Sequence, residues 1–369
     1  MNKFKKYLLG ICVACLCGRN VSAQPDSVHF VADFDLDVVK QEVARVVEQL
    51  PELVEQHQAI AEAFTPSTLS FQHEKVIEKS YPVTRKHQLS IDNRYGRISV
   101  HNWNRNEAKV TITVRTAEDS EKRAQEALDR VSIEESTEGN VISLKTDITA
   151  SGGSWWSSLT GEGGDRALNI DYEVYLPKQN ELTLANQYGP VELDDRDGKV
   201  NLSVKYGSLQ VNRLNADDNT LSIAYSKAAI AYIQSGEVAV RYGGFTLEEG
   251  GKITLATSYS SDSKIGRISE TADITVQYGA PLHIGLGSSI KRVNVDASYA
   301  KVVVEPAENA AFRFNATVHY GGFDYDGQHM NITSKSDRMT SKSYTGYWNH
   351  KATENTVTIR SRYGAVSLR

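Results

Sequence analysis

Beyond residue 17 the sequence has no cysteine. Its three, Cys12, Cys15 and Cys17, crowd into the first twenty residues, so the chain after them can form no disulfide, zinc–cysteine site or thiol nucleophile. No apolar run is long enough to cross a bilayer as a helix, which takes about 20 residues. A clustered basic excess is missing too: 41 Lys and Arg stand against 46 Asp and Glu, which leaves no nucleic-acid footprint. The nine histidines are scattered, with no HExxH pair. Phosphate loops of the GxxxxGK[ST] or GxGxxG kind and calcium-binding glycine–aspartate nonapeptides are absent. No metal and no cofactor are expected.

The cysteines have a plain explanation. Lys3, Lys5 and Lys6 precede a short apolar stretch from Tyr7 to Gly18, and Val21-Ser22-Ala23 supplies small residues for cleavage. This reads as a signal peptide over residues 1–23 and predicts an exported protein, periplasmic, on the outer surface or secreted. Lipidation at Cys15 is the alternative, but Cys12-Val13-Ala14 fits a lipoprotein box poorly. Removing the leader deletes Lys3, Lys5, Lys6 and Arg19 and no acid. The 41 basic residues become 37 against 46 acids, and the net charge moves from −5 to −9.

What the sequence does contain is a repeat. Two alternating apolar residues, a Tyr followed by Gly, Ser or Ala, and an apolar-x-apolar step recur along the chain. Examples are LSIDNRYGRISV from Leu89, LTLANQYGPVEL from Leu182, VNLSVKYGSLQV from Val200, VAVRYGGFTL from Val238 and VTIRSRYGAVSL at the end. The signature tyrosines Tyr188, Tyr206, Tyr225, Tyr242, Tyr259, Tyr278, Tyr299 and Tyr320 are 17 to 21 residues apart. Tyr363 follows 43 residues after Tyr320, which reads as two periods with one signature blurred. Such regularity predicts an all-β, single-stranded parallel β-helix, or β-solenoid, because each unit buries its apolar face only against its neighbours. An antiparallel meander is the competing arrangement.

Residues two apart in a strand share a face. Val238, Val240 and Tyr242 share parity, as do Val200, Leu202, Val204 and Tyr206. On this reading the tyrosines point inward with the aliphatics as an internal ladder. The apolar parity flips after each Tyr-Gly, which marks a corner where a small residue turns the chain and lets neighbouring coils approach. Segments such as Asp194-Asp195-Arg196-Asp197-Gly198 then serve as polar returns.

Three segments fall outside the repeat. Residues 36–64 carry apolar positions at helical spacing, divided by Pro51. They make residues 24–80 a helical N-terminal segment, either a cap on the solenoid of residues 81–369 or a partner-binding element. Ala124, Ala127, Leu128 and Val131 predict an inserted helix over 117–131, with Glu118–Lys122 and Asp119–Arg123 as outer ion pairs. Residues 151–165 form a Gly/Ser loop carrying Trp155 and Trp156, candidates for stacking on a sugar or anchoring in a partner.

Just before the tyrosines stand Arg94, Gln187, Lys205, Arg241, Gln277, His319 and Arg362, with Ala224, Ser258 and Ser298 between. They form an outward column that is either a shallow binding face or a solvated flank; Arg94, Lys205, Arg241, His319 and Arg362 are its candidate binding residues. The acids lie mainly in turns such as Asp217-Asp218 and Glu248-Glu249, and no facing pair of carboxylates suited to a glycosidase emerges. The chain ends inside a strand, at Val366-Ser367-Leu368-Arg369, so an open edge of the last coil is a candidate for self-association.

The phrases NRYGRISVHNW and DYEVYLPKQNELTLANQYGPVEL, with the serial Tyr-Gly and Tyr-Ser corners, resemble the putative-adhesin family of exported bacterial β-solenoid proteins, over about residues 82–369. The resemblance implies a cell-envelope or secreted protein, Bacteroidota-like in signal type, and brings no catalytic residues. The leading functional expectation is a non-enzymatic adhesin-like protein contacting a glycan or a protein. The alternatives are a carbohydrate-active lyase or glycosidase and an envelope sensor that uses its N-terminal helices.

Overall fold

The computed structural model describes residues 71–149 and 167–369. The signal peptide, the helical pattern at 36–64 and the Trp155–Trp156 pair lie outside the described residues.

Alternation of apolar and polar residues makes strands throughout. β1 (Phe71–Pro82), β2 (Gln88–Arg94), β3 (Ile98–Asn102) and β4 (Glu107–Glu118) precede α1 (Glu121–Asp129). β5 (Val131–Glu138), β6 (Val141–Ile148), β7 (Ala167–Leu176), β8 (Glu181–Gln187), β9 (Val191–Leu193), β10 (Val200–Lys205), β11 (Ser208–Leu214) and β12 (Asn219–Ala224) follow. Three 15-residue strands come next, β13 (Lys227–Arg241), β14 (Gly244–Ser258) and β15 (Ser263–Gln277). After them run β16 (Leu282–Leu286), β17 (Arg292–Ser298), β18 (Val302–Pro306), β19 (Phe312–His319), β20 (Phe323–Tyr325), β21 (Met330–Asp337), β22 (Ser341–Trp348), β23 (Thr356–Arg362) and β24 (Val366–Leu368).

The described fold is all-β with one helix, in an open, mixed sheet. One ladder pairs β6, β2, β8, β10, β12, β13, β14, β15, β17, β23 and β19 in parallel, in that spatial order. The other pairs β7, β3, β9, β11, β13, β14, β15, β16, β18, β24 and β20, also in parallel. Each rung from β2 and β3 onward thus crosses both ladders with a tyrosine corner between. Val200, Leu202 and Val204 of one ladder and Leu209 and Val211 of the other are buried, and such residues repeat from rung to rung to form the core.

The sheet is not purely parallel, which departs from the expected architecture. β5 joins β6, β1 joins β4 and β4 joins β7 in antiparallel fashion at one end. β22 joins β19, and β21 joins β22, at the other. The physical reason is the exposed end of a stack, whose apolar face and free strand edge need covering. Phe71–Pro82 is strand, so the helical segment expected through residue 80 is wrong over its last ten residues. α1 buries Ala124 and Leu128; Arg123 pairs with Asp119, and Lys122 lies 3.8 Å from Glu126.

The C-terminal rung is also placed differently from expectation. β23 lies between β17 and β19, and β24 between β18 and β20. The chain skips one rung, makes the β21–β22 hairpin and returns to fill the gap. The 43-residue interval from Tyr320 to Tyr363 is therefore a detour, with no blurred copy inside it. Because β24 is buried and paired on both sides, the C-terminal strand offers no open edge for self-association.

Arg196, expected in a solvated return, is fully buried. Its guanidinium donates to Asn102 Oδ1 at 3.1 Å and to the carbonyls of Leu176, Pro177 and Asn180 at 3.3, 2.8 and 2.9 Å. Burial pushes its pKa down to about 10, against the pull of Asp197 and Asp194, so it stays charged at neutral pH. It ties three backbone segments together at the first rungs.

Candidate binding surface

The tyrosine corners begin with the backbone. Tyr95, Tyr188, Tyr206, Tyr225, Tyr242, Tyr259, Tyr278, Tyr299, Tyr320 and Tyr363 all have φ between 50° and 65°. This left-handed region costs a non-glycine residue about 1–2 kcal/mol. It also ends the strand's alternation, so a residue in step with the buried aliphatics is thrown outward. The internal ladder expected from parity is overturned: Val238 and Val240 are buried, while Tyr242 is 49% exposed. From Tyr188 onward the signature rings are 39–58% exposed.

Each tyrosine amide is satisfied by the neighbouring rung, except that of Tyr320, which donates to Thr340 O of the β21–β22 hairpin at 2.9 Å. Tyr188 N donates to Lys205 O at 3.0 Å, Tyr225 N to Arg241 O at 2.9 Å and Tyr242 N to Ser258 O at 3.1 Å. The glycine that follows serves clearance. A Cβ on Gly207 would lie 2.0 Å from Gly189 O, and one on Gly189 would lie 2.0 Å from Gly96 O.

Outside the sheet the rings form one continuous stack, in the spatial order Tyr95, Tyr188, Tyr206, Tyr225, Tyr242, Tyr259, Tyr278, Tyr299, Tyr363, Tyr320. Neighbouring centroids are 4.7–5.2 Å apart and ring planes lie within 11° of parallel. Nine gaps near the strand spacing make a stack about 45 Å long. Tyr95 is its first rung, a position the 17–21-residue spacing alone does not reach but its NRYG signature marks. A buried chain of hydrogen bonds supports that end: Thr146 Oγ1 donates to Asn93 Oδ1 at 2.9 Å, and Asn93 Nδ2 donates to Ile170 O at 2.9 Å. Burial raises the Tyr95 hydroxyl pKa; Tyr188 adds to the shift and Arg94 opposes it.

The column before the tyrosines is in strict register. Arg94 pairs with Gln187, Gln187 with Lys205, Lys205 with Ala224 and Ala224 with Arg241. It continues through Ser258, Gln277, Ser298 and Arg362 to His319. Arg94, Lys205, Arg241, His319 and Arg362 are exposed, and among the described residues no ion pair holds them. On the far side of the stack Arg97, Lys227 and Lys301 are exposed, with one acid, Asp262, in the same row. Arg97 lies 3.4 Å from Glu192.

At the first rung the stack opens onto a cleft of about 500 Å³ lined by Tyr95, Tyr188, Arg97, Arg115 and Asp171. Its charges are already engaged: Arg115 donates to Glu74 and Asp171 at 2.8 and 2.9 Å. No group of three His, Cys, Asp or Glu able to hold a metal occurs among the described residues. No helix among them is long and apolar enough to cross a membrane.

Chemically, the surface is a line of phenol edges and hydroxyls bordered by cations. The inner ring faces are covered by their neighbours, so the stack offers hydrogen bonds and edge contacts rather than open aromatic platforms.

No family model matches the chain, and no curated protein matches its sequence. Among solved structures it is similar to one called a putative adhesin from Bacteroides fragilis NCTC 9343, at 10% identity and a TM-score of 0.37, over 80% of this chain and 97% of that one. One called a putative cell adhesion protein, from Clostridium sporogenes ATCC 15579, matches at 10% identity and a TM-score of 0.22, over 80% and 99% of the two chains. One called a putative lipid binding protein, from Parabacteroides distasonis ATCC 8503, matches at 9% and 0.33, over 81% and 97%. Another structure similar to it at 10% identity and a TM-score of 0.37, also from Parabacteroides distasonis ATCC 8503, is called a putative adhesin.

Proposed function

We propose that this chain is an exported, non-enzymatic adhesin-like protein of the cell envelope or its surroundings. In this reading the signal at residues 1–23 is removed and the parallel rungs form a β-solenoid. The tyrosine stack, with Arg94, Lys205, Arg241, His319 and Arg362 beside it, is the contact surface for a glycan. The observation that carries the proposal is the exterior stack. Ten rings stand in strained backbone positions, and nine of them, from Tyr188 onward, are about half exposed and present a regular row of hydroxyls that the core does not require. Trp155 and Trp156 are a second proposed contact.

A glycan-array screen with product analysis on the same samples tests this. Binding without cleavage, weakened in a Tyr225→Ala, Tyr242→Ala, Tyr259→Ala variant that retains its far-UV spectrum, is the expected result. Cleavage products would replace the proposal with a carbohydrate-active enzyme. Absence of both signals would reject a glycan and point to a protein partner. Loss of binding in a Trp155→Ala, Trp156→Ala variant alone would move the contact to the tryptophans.

A further inference from the structure

The cations before the tyrosines follow a period of their own. Counting along the stack from Tyr95, Arg94 stands at the first rung, Lys205 at the third, Arg241 at the fifth and Arg362 at the ninth. They fall only on odd rungs. Gln277 occupies the seventh, and the even rungs hold Gln187, Ala224, Ser258, Ser298 and His319. With rings 4.7–5.2 Å apart, the charges recur at multiples of about 10 Å, twice the strand spacing. No acid stands in this column, although the whole chain carries a net charge of −5.

We infer that the stack binds a linear acidic polysaccharide lying along it, with its anionic groups on alternate sugars. This rests on the glycan reading above and deepens it. A sugar in an extended polymer advances by close to one strand spacing, so a two-sugar repeat matches two rungs. The tyrosine hydroxyls meet the sugar hydroxyls, and the odd-rung cations meet the carboxylates or sulfates as charge-assisted hydrogen bonds. A single-stranded nucleic acid is a poorer match, because it needs open ring faces on which to stack its bases, and the inner faces of this stack are covered.

The test is binding of the full chain to hyaluronan, which carries one carboxylate per two sugars, beside neutral dextran and poly(dT). Hyaluronan should bind, and weaken at least tenfold between about 10 mM and 150 mM salt as the screening length falls from about 30 to about 8 Å. The Arg94→Gln, Lys205→Gln, Arg241→Gln, Arg362→Gln variant should lose at least tenfold with an unchanged unfolding midpoint. A gain-of-function variant guards against misfolding: Gln277→Lys, which completes the odd-rung series, should tighten binding at least threefold, and Gln187→Lys on an even rung less. Equal gains from the two lysines would overturn the spacing argument. Dextran binding that ignores salt and the four glutamines would overturn the acidic ligand while leaving the glycan reading intact. Poly(dT) binding as tight as hyaluronan would overturn the polysaccharide, and no binding to any glycan would remove both readings.

Discussion

Replacing Tyr242 in turn by alanine, glycine and phenylalanine separates ring stacking from backbone strain. Tyr242 lies between Tyr225 at 4.8 Å and Tyr259 at 5.1 Å, nearly parallel to both, with φ at 54°. Each stacked pair is worth about 0.5–1.5 kcal/mol, so Tyr242→Ala should destabilise by about 1–3 kcal/mol. Alanine keeps the left-handed strain that tyrosine already bears. Tyr242→Gly loses the same two contacts but relieves about 1–2 kcal/mol of strain, offset by about 0.5–1 kcal/mol of added chain entropy. Glycine should therefore be the better of the two by roughly 0.5–1 kcal/mol, the reverse of their usual order within a strand. Phenylalanine preserves both stacks and should stay within about 0.5 kcal/mol of the parent. Urea-unfolding midpoints at constant slope measure all three. A loss of about 3–5 kcal/mol for alanine, the value for a buried aromatic, with glycine worse still, would refute the exterior stack and restore the inward ladder.

Arg196→Met should cost about 3–5 kcal/mol in the same assay, because it leaves three buried carbonyls and the Asn102 amide oxygen without their donor. Gly207→Ala should cost about 1–3 kcal/mol by forcing two rungs apart, whereas Gly322→Ala, with nothing within 4 Å of the new Cβ, should stay within about 0.5 kcal/mol. Acid should weaken the fold at identifiable places. Lys79, with help from the Tyr81 hydroxyl, holds the Glu135 carboxyl below its ordinary range, and Asn215 with Lys178 does the same for Asp197. The folded state then binds these protons less readily than the unfolded chain. The stabilisation is complete above the ordinary carboxylate pKa of about 4.5 and is lost as pH falls through the lowered folded values. Glu135→Gln should flatten the midpoint-versus-pH curve below about pH 4.5 relative to the parent, and an unchanged curve would show that the Lys79 contact carries no linkage.

Strand content, rung length and the inward aliphatics were legible because they depend on local alternation and on a repeat, both visible in a single sequence. Val238 and Val240, or Leu202 and Val204, could go nowhere but the core. The register of the flanking column was legible for the same reason, since residues one step before a repeated corner must align. Three features were not. Spatial order at the ends was hidden, because the sequence does not say that β23 and β24 return to a skipped rung. Arg196 looked solvated because three acids surround it in sequence; its true partners are carbonyls of distant residues. The direction of the tyrosines is hidden because parity holds only while the backbone stays extended. One left-handed residue per rung resets it, and no side-chain pattern announces which residue that is.

That reset bears on function. Where the chain needs only a left-handed turn, it uses Gly139, Asp218 or Asn349, with φ of 59°, 61° and 57°, the residue types that adopt this region at least cost. At ten corners of similar φ it uses tyrosine instead. Stacking over nine pairs returns about 0.5–1.5 kcal/mol each, which offsets only part of the strain of about 1–2 kcal/mol at each of ten rings. The aromatic rungs therefore give the fold no more stability than asparagine at the same corners would. What asparagine would not supply is the unbroken row of ring edges and hydroxyls along the outer surface. A set of Tyr→Asn changes over Tyr225, Tyr242 and Tyr259 should accordingly keep the unfolding midpoint near that of the parent while removing glycan binding, which places the reason for the tyrosines at the surface they create.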